Sequence, residues 1–363
     1  MIQFQSRKPA CLAGALCLLF LLGIPAAAQP SYTITDLGTL NPDDQFCQAF
    51  GTNNYGQVAG FCLLAGAAVH GFLWTPDVPN GTTGQMTDLG PSNFGQDGGY
   101  KVNDYGQVLF NSNGAHLWTP DTPNGTTGSA TSLGGPVTGF TVTGYGLNGI
   151  GQVVGYGYPG VCFLWTPDVP NGTTGSFNSY FNGTDFEPGF GYSSHIGDAN
   201  GVNDLGQVTG SVTGGFFNFP IIHNDANNHY TTDDIISPTW DPESQDYAGS
   251  GARISNLGHV AGTGVFPHTG AVHPFFYDGA AMLDISDGNS GNAYGINSSD
   301  QVVGSLSSGA FLYSGGVLYQ LIDLVPSSGW NLLSNAFDIN DTGQIVGHGL
   351  HNFALHPFLM TPQ

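Results

Sequence analysis

Between residues 177 and 250 the chain gathers side chains that could do chemistry. His195, His223 and His229 are interspersed with the carboxylates Asp198, Asp225, Asp233, Asp234, Asp241 and Glu243, and with aromatic residues that include Tyr192 and Trp240. Aromatic rings stack on the apolar faces of sugars, carboxylates accept from sugar hydroxyls, and histidines beside carboxylates form a metal-ligand set. Hydrolysis of a glycosidic bond needs two carboxyl groups at a fixed separation; Asp233, Asp234, Asp241 and Glu243 are the pool from which such a pair would come. Two readings of the segment stand side by side, a sugar- or metal-binding face and a pair of acidic, solvated insertions. The chain holds no Gly-x-Ser-x-Gly elbow, no His-Glu-x-x-His and no phosphate-cradling loop.

The rest of the composition says what must carry these groups. Four Lys and Arg face 26 Asp and Glu, of which only Glu187 and Glu243 are glutamates, and the formal net charge is −22. With few Lys, Arg and Glu and 57 glycines, helix is disfavoured and strands joined by tight turns are favoured. Such acidity without a basic run excludes a nucleic-acid partner. A chain with 40% hydrophobic and 12% aromatic residues buries a core and is not disordered. Residues 1–28 read as a signal peptide: Arg7 and Lys8, an apolar run from Leu12 to Ile24 too short to span a bilayer, then Pro25-Ala26-Ala27-Ala28. Cleavage leaves Lys101 and Arg253 against all 26 acids, a net charge of −24. The expected product is secreted, extracellular or periplasmic in a Gram-negative bacterium, with no membrane span.

The mature segment, 29–363, is one domain of repeats, with the insertions at about 177–250 interrupting the rhythm. The sharpest motif, Asn-x-x-Gly-Gln-Val-x-Gly, occurs seven times; its Gln-equivalent positions are 57, 107, 152, 207, 259, 301 and 344. An aromatic strand follows each copy, as at His70-Gly71-Phe72-Leu73-Trp74, and a Thr-Asp-Leu-Gly strand comes next, as at Thr87-Asp88-Leu89-Gly90 and at Ile322-Asp323-Leu324. Four short strands in about 48 residues is the size of a propeller blade. The spacing predicts an all-β, seven-bladed β-propeller of four-stranded blades. A spare Thr35-Asp36-Leu37-Gly38 strand precedes the first copy and the last unit ends on its aromatic strand. Pairing the two closes the ring and removes the exposed edges.

The motif Asn-Asp-x-Gly-Gln-Val-Val-Gly, the His-Ala-Phe-Leu-Trp-like strand and the Thr-Asp-Leu-Gly segment resemble the bacterial extracellular repeats called the HAF family, over essentially the whole mature chain. The resemblance implies a secreted β-repeat protein and brings little function with it. The fourth unit, around Phe216 to Ile222, departs most from the pattern.

Within each motif Asn bonds its own backbone and Gly takes the left-handed position of a hairpin turn. A four-residue turn at 53–56 pairs residues whose numbers sum to 109, which sets Cys47 opposite Cys62 and predicts a disulfide in an oxidising compartment; Cys162 is then a buried apolar residue. The loops Thr75 to Gly84, Thr119 to Gly128 and Thr166 to Gly175 each offer one Asp. Their spacing matches neither an EF-hand nor a nonapeptide Ca²⁺ loop, so Ca²⁺ is a weak candidate and surface decoration the expected role. His70, His273 and His356 share one repeat position and read as structural, since Gly114, Val161 and Gly309 replace them elsewhere. The expected function is a non-catalytic binding or scaffold propeller recognising an extracellular glycan or surface protein. The alternatives are a polysaccharide-acting hydrolase or lyase, and a structural matrix component.

Overall fold

The computed structural model describes residues 29–92, 100–135, 141–157, 161–179, 195–214, 217–223, 249–265, 272–325 and 328–363. After β1 (Tyr32–Asp36), the first unit comprises β2 (Phe46–Thr52), β3 (Val58–Leu63), β4 (Val69–Pro76) and β5 (Gly84–Pro91). The second is β6 (Lys101–Val102), β7 (Val108–Asn111), β8 (Ala115–Pro120) and β9 (Gly128–Ser132), and the third β10 (Val142–Leu147), β11 (Val153–Gly157), β12 (Val161–Pro167) and β13 (Gly175–Ser179). The fourth holds β14 (His195–Val202), β15 (Val208–Gly214) and β16 (Phe217–His223). The fifth is β17 (Gly249–Ile254), β18 (Val260–Val265), β19 (Val272–Tyr277) and β20 (Met282–Asp284), and the sixth β21 (Gly291–Ile296), β22 (Val302–Leu306), β23 (Gly309–Ser314) and β24 (Val317–Gln320). The seventh runs β25 (Trp330–Ile339), β26 (Ile345–His351) and β27 (Ala354–Pro362).

Each sheet is an antiparallel meander of sequential strands, and β1 joins the last one in the order β1-β27-β26-β25. The pairing expected between the N-terminal strand and the last unit is therefore present, from Tyr32 opposite Pro362 to Asp36 opposite Phe358. The blade count is corrected: among the described residues six blades, not seven, are four-stranded, and the fourth unit contributes a three-stranded sheet. The sequence agrees, since no Thr-Asp-Leu-Gly segment follows β16; residues 224–248 lie outside the described set. A second correction falls at Ile322–Leu324, expected as a strand. Leu321–Leu324 is a 3-10 turn, because the tight Gly315-Gly316 hairpin has already delivered β24 to the edge of its sheet.

The Gly-Gln-Val-x-Gly motif is explained by packing. In five units one Phe of the aromatic strand is fully buried: Phe72, Phe163, Phe275, Phe311 and Phe358. A Cβ on Gly60, Gly304 or Gly347 would overlap that ring and a backbone carbonyl of the neighbouring strand. The second unit reverses the arrangement. Phe110 occupies the glycine position and His116 the phenylalanine position, and the two rings stack at 5.5 Å. Adjacent sheets pack face to face; Val154, Cys162 and Leu164 of the third unit meet Ala199, Val202 and Val208 of the fourth.

Cys47 and Cys62 are bonded, directly opposite each other. The predicted pairing is right although the predicted turn is one residue short. Thr52 faces Val58, so the loop spans five residues, and a bulge between Ala49 and Gly51 restores the register at the cysteines. Cys162 is buried, which raises its thiol pKa.

Two further sequence readings meet the structure. The Asn-Gly loops are seam pieces and not decoration. Asn80, Asn124 and Asn171 each adopt positive φ and donate their N–H to the turn of their own unit, at Tyr55, Tyr105 and Ile150. Each also accepts from the glutamine of the preceding unit: Gln344 donates to Asn80, Gln57 to Asn124 and Gln107 to Asn171. His70, His273 and His356 do share a structural role, each placing Nδ1 within 2.7–3.0 Å of the aspartate on the adjacent strand: Asp88, Asp284 and Asp36.

Candidate functional site

The seven inner strands (β2, β6, β10, β14, β17, β21 and β25) each end at the first residue of the repeat motif, Asn in six units and Ser255 in the fifth, and these ends surround a cavity of about 200 Å³. Its collar is a relay of buried asparagines. Asn53 Nδ2 donates to the Asn103 carbonyl at 2.8 Å, Asn103 to Asn148 at 3.1 Å, Asn148 to Asn203 at 2.9 Å and Asn203 to Ser255 at 2.9 Å. Asn297 donates to Asn340 at 3.0 Å, and Asn340 to Asn53 at 2.8 Å, so the relay runs from the seventh unit to the first. Each Asn Oδ1 also accepts backbone N–H groups of its own turn, as from Tyr55 and Gln57 onto Asn53, which fixes the amide. Outside the collar lies a rim of exposed polar residues one position further on. Asn54 bonds Asp104 and Asp341, and Asp204 bonds Asn256 in both directions.

Two residues before the collar Asn, the repeat is Gly in four units (Gly51, Gly146, Gly201, Gly295) and charged in three (Lys101, Arg253, Asp338). The glycines are required by crowding: a Cβ on Gly51 would lie 3.0 Å from Lys101 Cα, and one on Gly295 2.9 Å from Asp338 Cα. At all of these positions except Lys101, where the strand is short, the pairing register shifts. Such bulges re-aim side chains, and Lys101, Arg253 and Asp338 line the cavity together.

Arg253 Nη2 donates to Asp338 Oδ2 at 3.1 Å, reaching past the sixth unit, where the equivalent residue is Gly295. Asp338 also accepts the N–H groups of Thr52 and Ile339, both at 3.2 Å. Lys101 is only 7% exposed and donates to the Phe50 carbonyl at 3.4 Å. Burial, reinforced by the Arg253 charge and partly opposed by Asp338, pushes its pKa down to about 7. Among the described residues no carboxylate forms an ion pair with it. The cavity floor thus holds a compensated Arg–Asp pair and an ammonium group lacking a counter-anion, beneath a rim of hydrogen-bonding groups. That arrangement suits a small ligand with an acid group at one end and hydroxyls at the other.

Most of the residues proposed from the sequence fall elsewhere. Tyr192, Asp225, His229, Asp233, Asp234, Trp240, Asp241 and Glu243 lie outside the described residues. His195 and His223 occupy opposite ends of the fourth sheet, His195 opposite Thr213 and His223 opposite Val208, roughly 17 Å apart along the strands. Asp198 sits at a bulge in β14 with its N–H donated to Ser211 Oγ at 3.4 Å. The axial residues were overlooked, although their signal was present. Lys101 and Arg253 are the only Lys or Arg after residue 28, and both precede the motif by the same two residues.

Neither a family model nor a curated protein sequence matches the chain. Among solved structures it is similar to the β-propeller domain of the Trilobed protease from Pyrococcus furiosus, described as having an open velcro topology, at 10% identity and a TM-score of 0.50, over 87% of this chain and 94% of that one. The chain is a β-propeller. Weaker likenesses are to the BP39L lectin from Burkholderia pseudomallei (12% identity, TM-score 0.38, 91% and 96% of the two chains) and to a PL25 ulvan lyase (9%, 0.41, 90% and 93%). At these identities the propeller fold is what the likeness carries. No helix among the described residues is long and apolar enough to cross a membrane.

Proposed function

We propose that the protein is an exported, non-catalytic binding propeller that takes the acid group of an extracellular glycan into its axial cavity. The repeat units close on one another through the β1–β27 pairing and the Asn340–Asn53 bond, and the cavity lies on their common axis. One observation carries the reading: in a chain with 26 acids, both cations beyond the leader stand at one repeat position on the floor of one cavity. Scattered charges would serve solubility; two converging ones, with a buried amine among them, serve an anion. A carboxylate entering the cavity supplies Lys101 with its counter-charge, while Asn54, Asp104, Asp204 and Asp341 at the rim meet sugar hydroxyls. The leader and the Cys47–Cys62 bond support an oxidising compartment outside the cytoplasm.

Calorimetric titration with galacturonate and glucuronate oligosaccharides against uncharged glucose oligomers tests this. The acidic sugars are expected to bind, with affinity falling as pH rises through about 7 and Lys101 loses its proton. Lys101→Met is the informative variant because removing a buried charge does not threaten folding; it should weaken binding by at least about tenfold, the loss of one charge-assisted bond. Equal binding of neutral sugars, or an unchanged affinity in Lys101→Met, overturns the axial reading.

A further inference from the structure

The three His–Asp pairs of the aromatic strands are not equivalent. His70–Asp88 and His273–Asp284 pair one imidazole with one carboxylate. In the seventh unit a second histidine joins. His351, on β26, places Nδ1 2.8 Å from Asp36 Oδ2, and His356, on β27, places Nδ1 3.0 Å from Asp36 Oδ1 and 2.9 Å from Oδ2. Donor atoms of all three residues lie within 4.8 Å of one another. The side chains are each about a quarter exposed, His351 at 23%, His356 at 28% and Asp36 at 26%, so solvent reaches the cluster.

We propose that Asp36, His351 and His356 form a binding site for a Zn²⁺-class divalent transition metal, which ties the N-terminal strand to the C-terminal hairpin. Two imidazole nitrogens and a carboxylate oxygen are a common three-ligand set for such ions, with water in the fourth position. Bonds of about 2.0–2.2 Å hold tetrahedral ligands roughly 3.4 Å apart; the His–Asp spacings of 2.8–3.0 Å need open only slightly to reach that. The surroundings favour it. Trp330 stacks on the His351 ring with centroids 5.0 Å apart and planes 19° from parallel, setting its orientation. Asn352 Nδ2 lies 3.4 Å from His351 Nε2; once Nδ1 holds a metal, a half-turn of that amide sets its oxygen to accept the remaining Nε2–H. The ion would bridge residues more than 300 positions apart in sequence, beside the β1–β27 pairing. The site shares no residue with the axial cavity, and its test is independent of the glycan reading.

Purified protein freed of metal by chelation is titrated with ZnCl₂ by calorimetry, and with CoCl₂ while visible absorption is recorded. The expected result is one Zn²⁺ per chain, cobalt bands of a four- or five-coordinate site, and a Tm that rises with Zn²⁺. His351→Asn and Asp36→Asn should each weaken Zn²⁺ binding more than about 100-fold, beyond the effect of a lost supporting residue. His70→Asn, which breaks a pair that has no second histidine, should leave it unchanged. The metal-free Tm of each variant separates lost binding from lost folding. Absence of Zn²⁺ binding to the wild type, or binding that survives His351→Asn in a folded variant, overturns the proposal.

Discussion

His259 Nδ1 lies 2.7 Å from Asp300 Oδ1 across the seam between the fifth and sixth units. At other seams a glutamine side chain stands against the turn glycine of the next unit, as Gln57 does against Gly106 and Gln107 against Gly151. Here both partners differ together. His259 replaces the glutamine, and Asp300 takes the glycine seat at a φ of 57°, which Asp tolerates better than most residues. Ser255 also replaces the collar asparagine, so the amide relay is missing at this seam and the His–Asp contact stands in for it.

That substitution is expected to be coupled. His259→Gln or Asp300→Gly alone should cost about 1 kcal/mol in urea denaturation, whereas the double variant, which restores the common pairing, should regain most of it. Additive losses would show the two positions to be independent.

Lys101 sets a pH dependence of stability. Its folded pKa of about 7 lies below the ordinary 10.5, so folding disfavours the charged form. The cost is fully present below about pH 7, shrinks as pH rises, and vanishes above about 10.5, where folded and unfolded chains are both neutral. Lys101→Met should therefore stabilise the protein by on the order of 2–4 kcal/mol at pH 6 and by progressively less at pH 8 and 10, measured by denaturant midpoints. The same variant is expected to bind acidic glycan poorly, so stability and binding move in opposite directions.

Removing the Cys47–Cys62 bond, which closes a separation of 15 residues, should cost about 3 kcal/mol. Calorimetry of Cys47→Ser/Cys62→Ser checks it. Cys162, buried between the third and fourth units, should react with thiol reagents only after unfolding.

The collar and the rim should respond differently to mutation. Asn340→Ala removes the donor to the Asn53 carbonyl and the acceptor for its own turn, leaving buried polar groups unpaired at a cost of about 2 kcal/mol or more. Asn256→Ala, on the exposed rim, should change stability by less than about 0.5 kcal/mol. Thermal melts of the two variants compare them directly.

The repeat is legible because it recurs in types and spacing: strands, turns and the disulfide follow from hairpin arithmetic, with a turn one residue longer than expected offset at the cysteines by a bulge that the arithmetic does not contain. The axial site was less visible. Whether Lys101 or Arg253 points at the axis depends on strand ends and bulges that hydrophobic periodicity does not reveal, whereas the dense titratable groups of the 177–250 segment stand out in the sequence. His356 was readable as structural from its variable repeat position. Its carboxylate, Asp36, lies 320 positions away, near only because of the strand pairing that the repeat phase implied.

The pairing of β1 with β27 also orders the life of the molecule in time. The strand that is synthesised first has no partner until the last strand has been made. Any fragment that stops short of β27 keeps β1 unpaired and the outer edge of the seventh sheet open, a target for proteases and for other strands. The fold thus distinguishes finished chains from interrupted ones without any separate inspector, and closes on the slow timescale of long-range strand pairing.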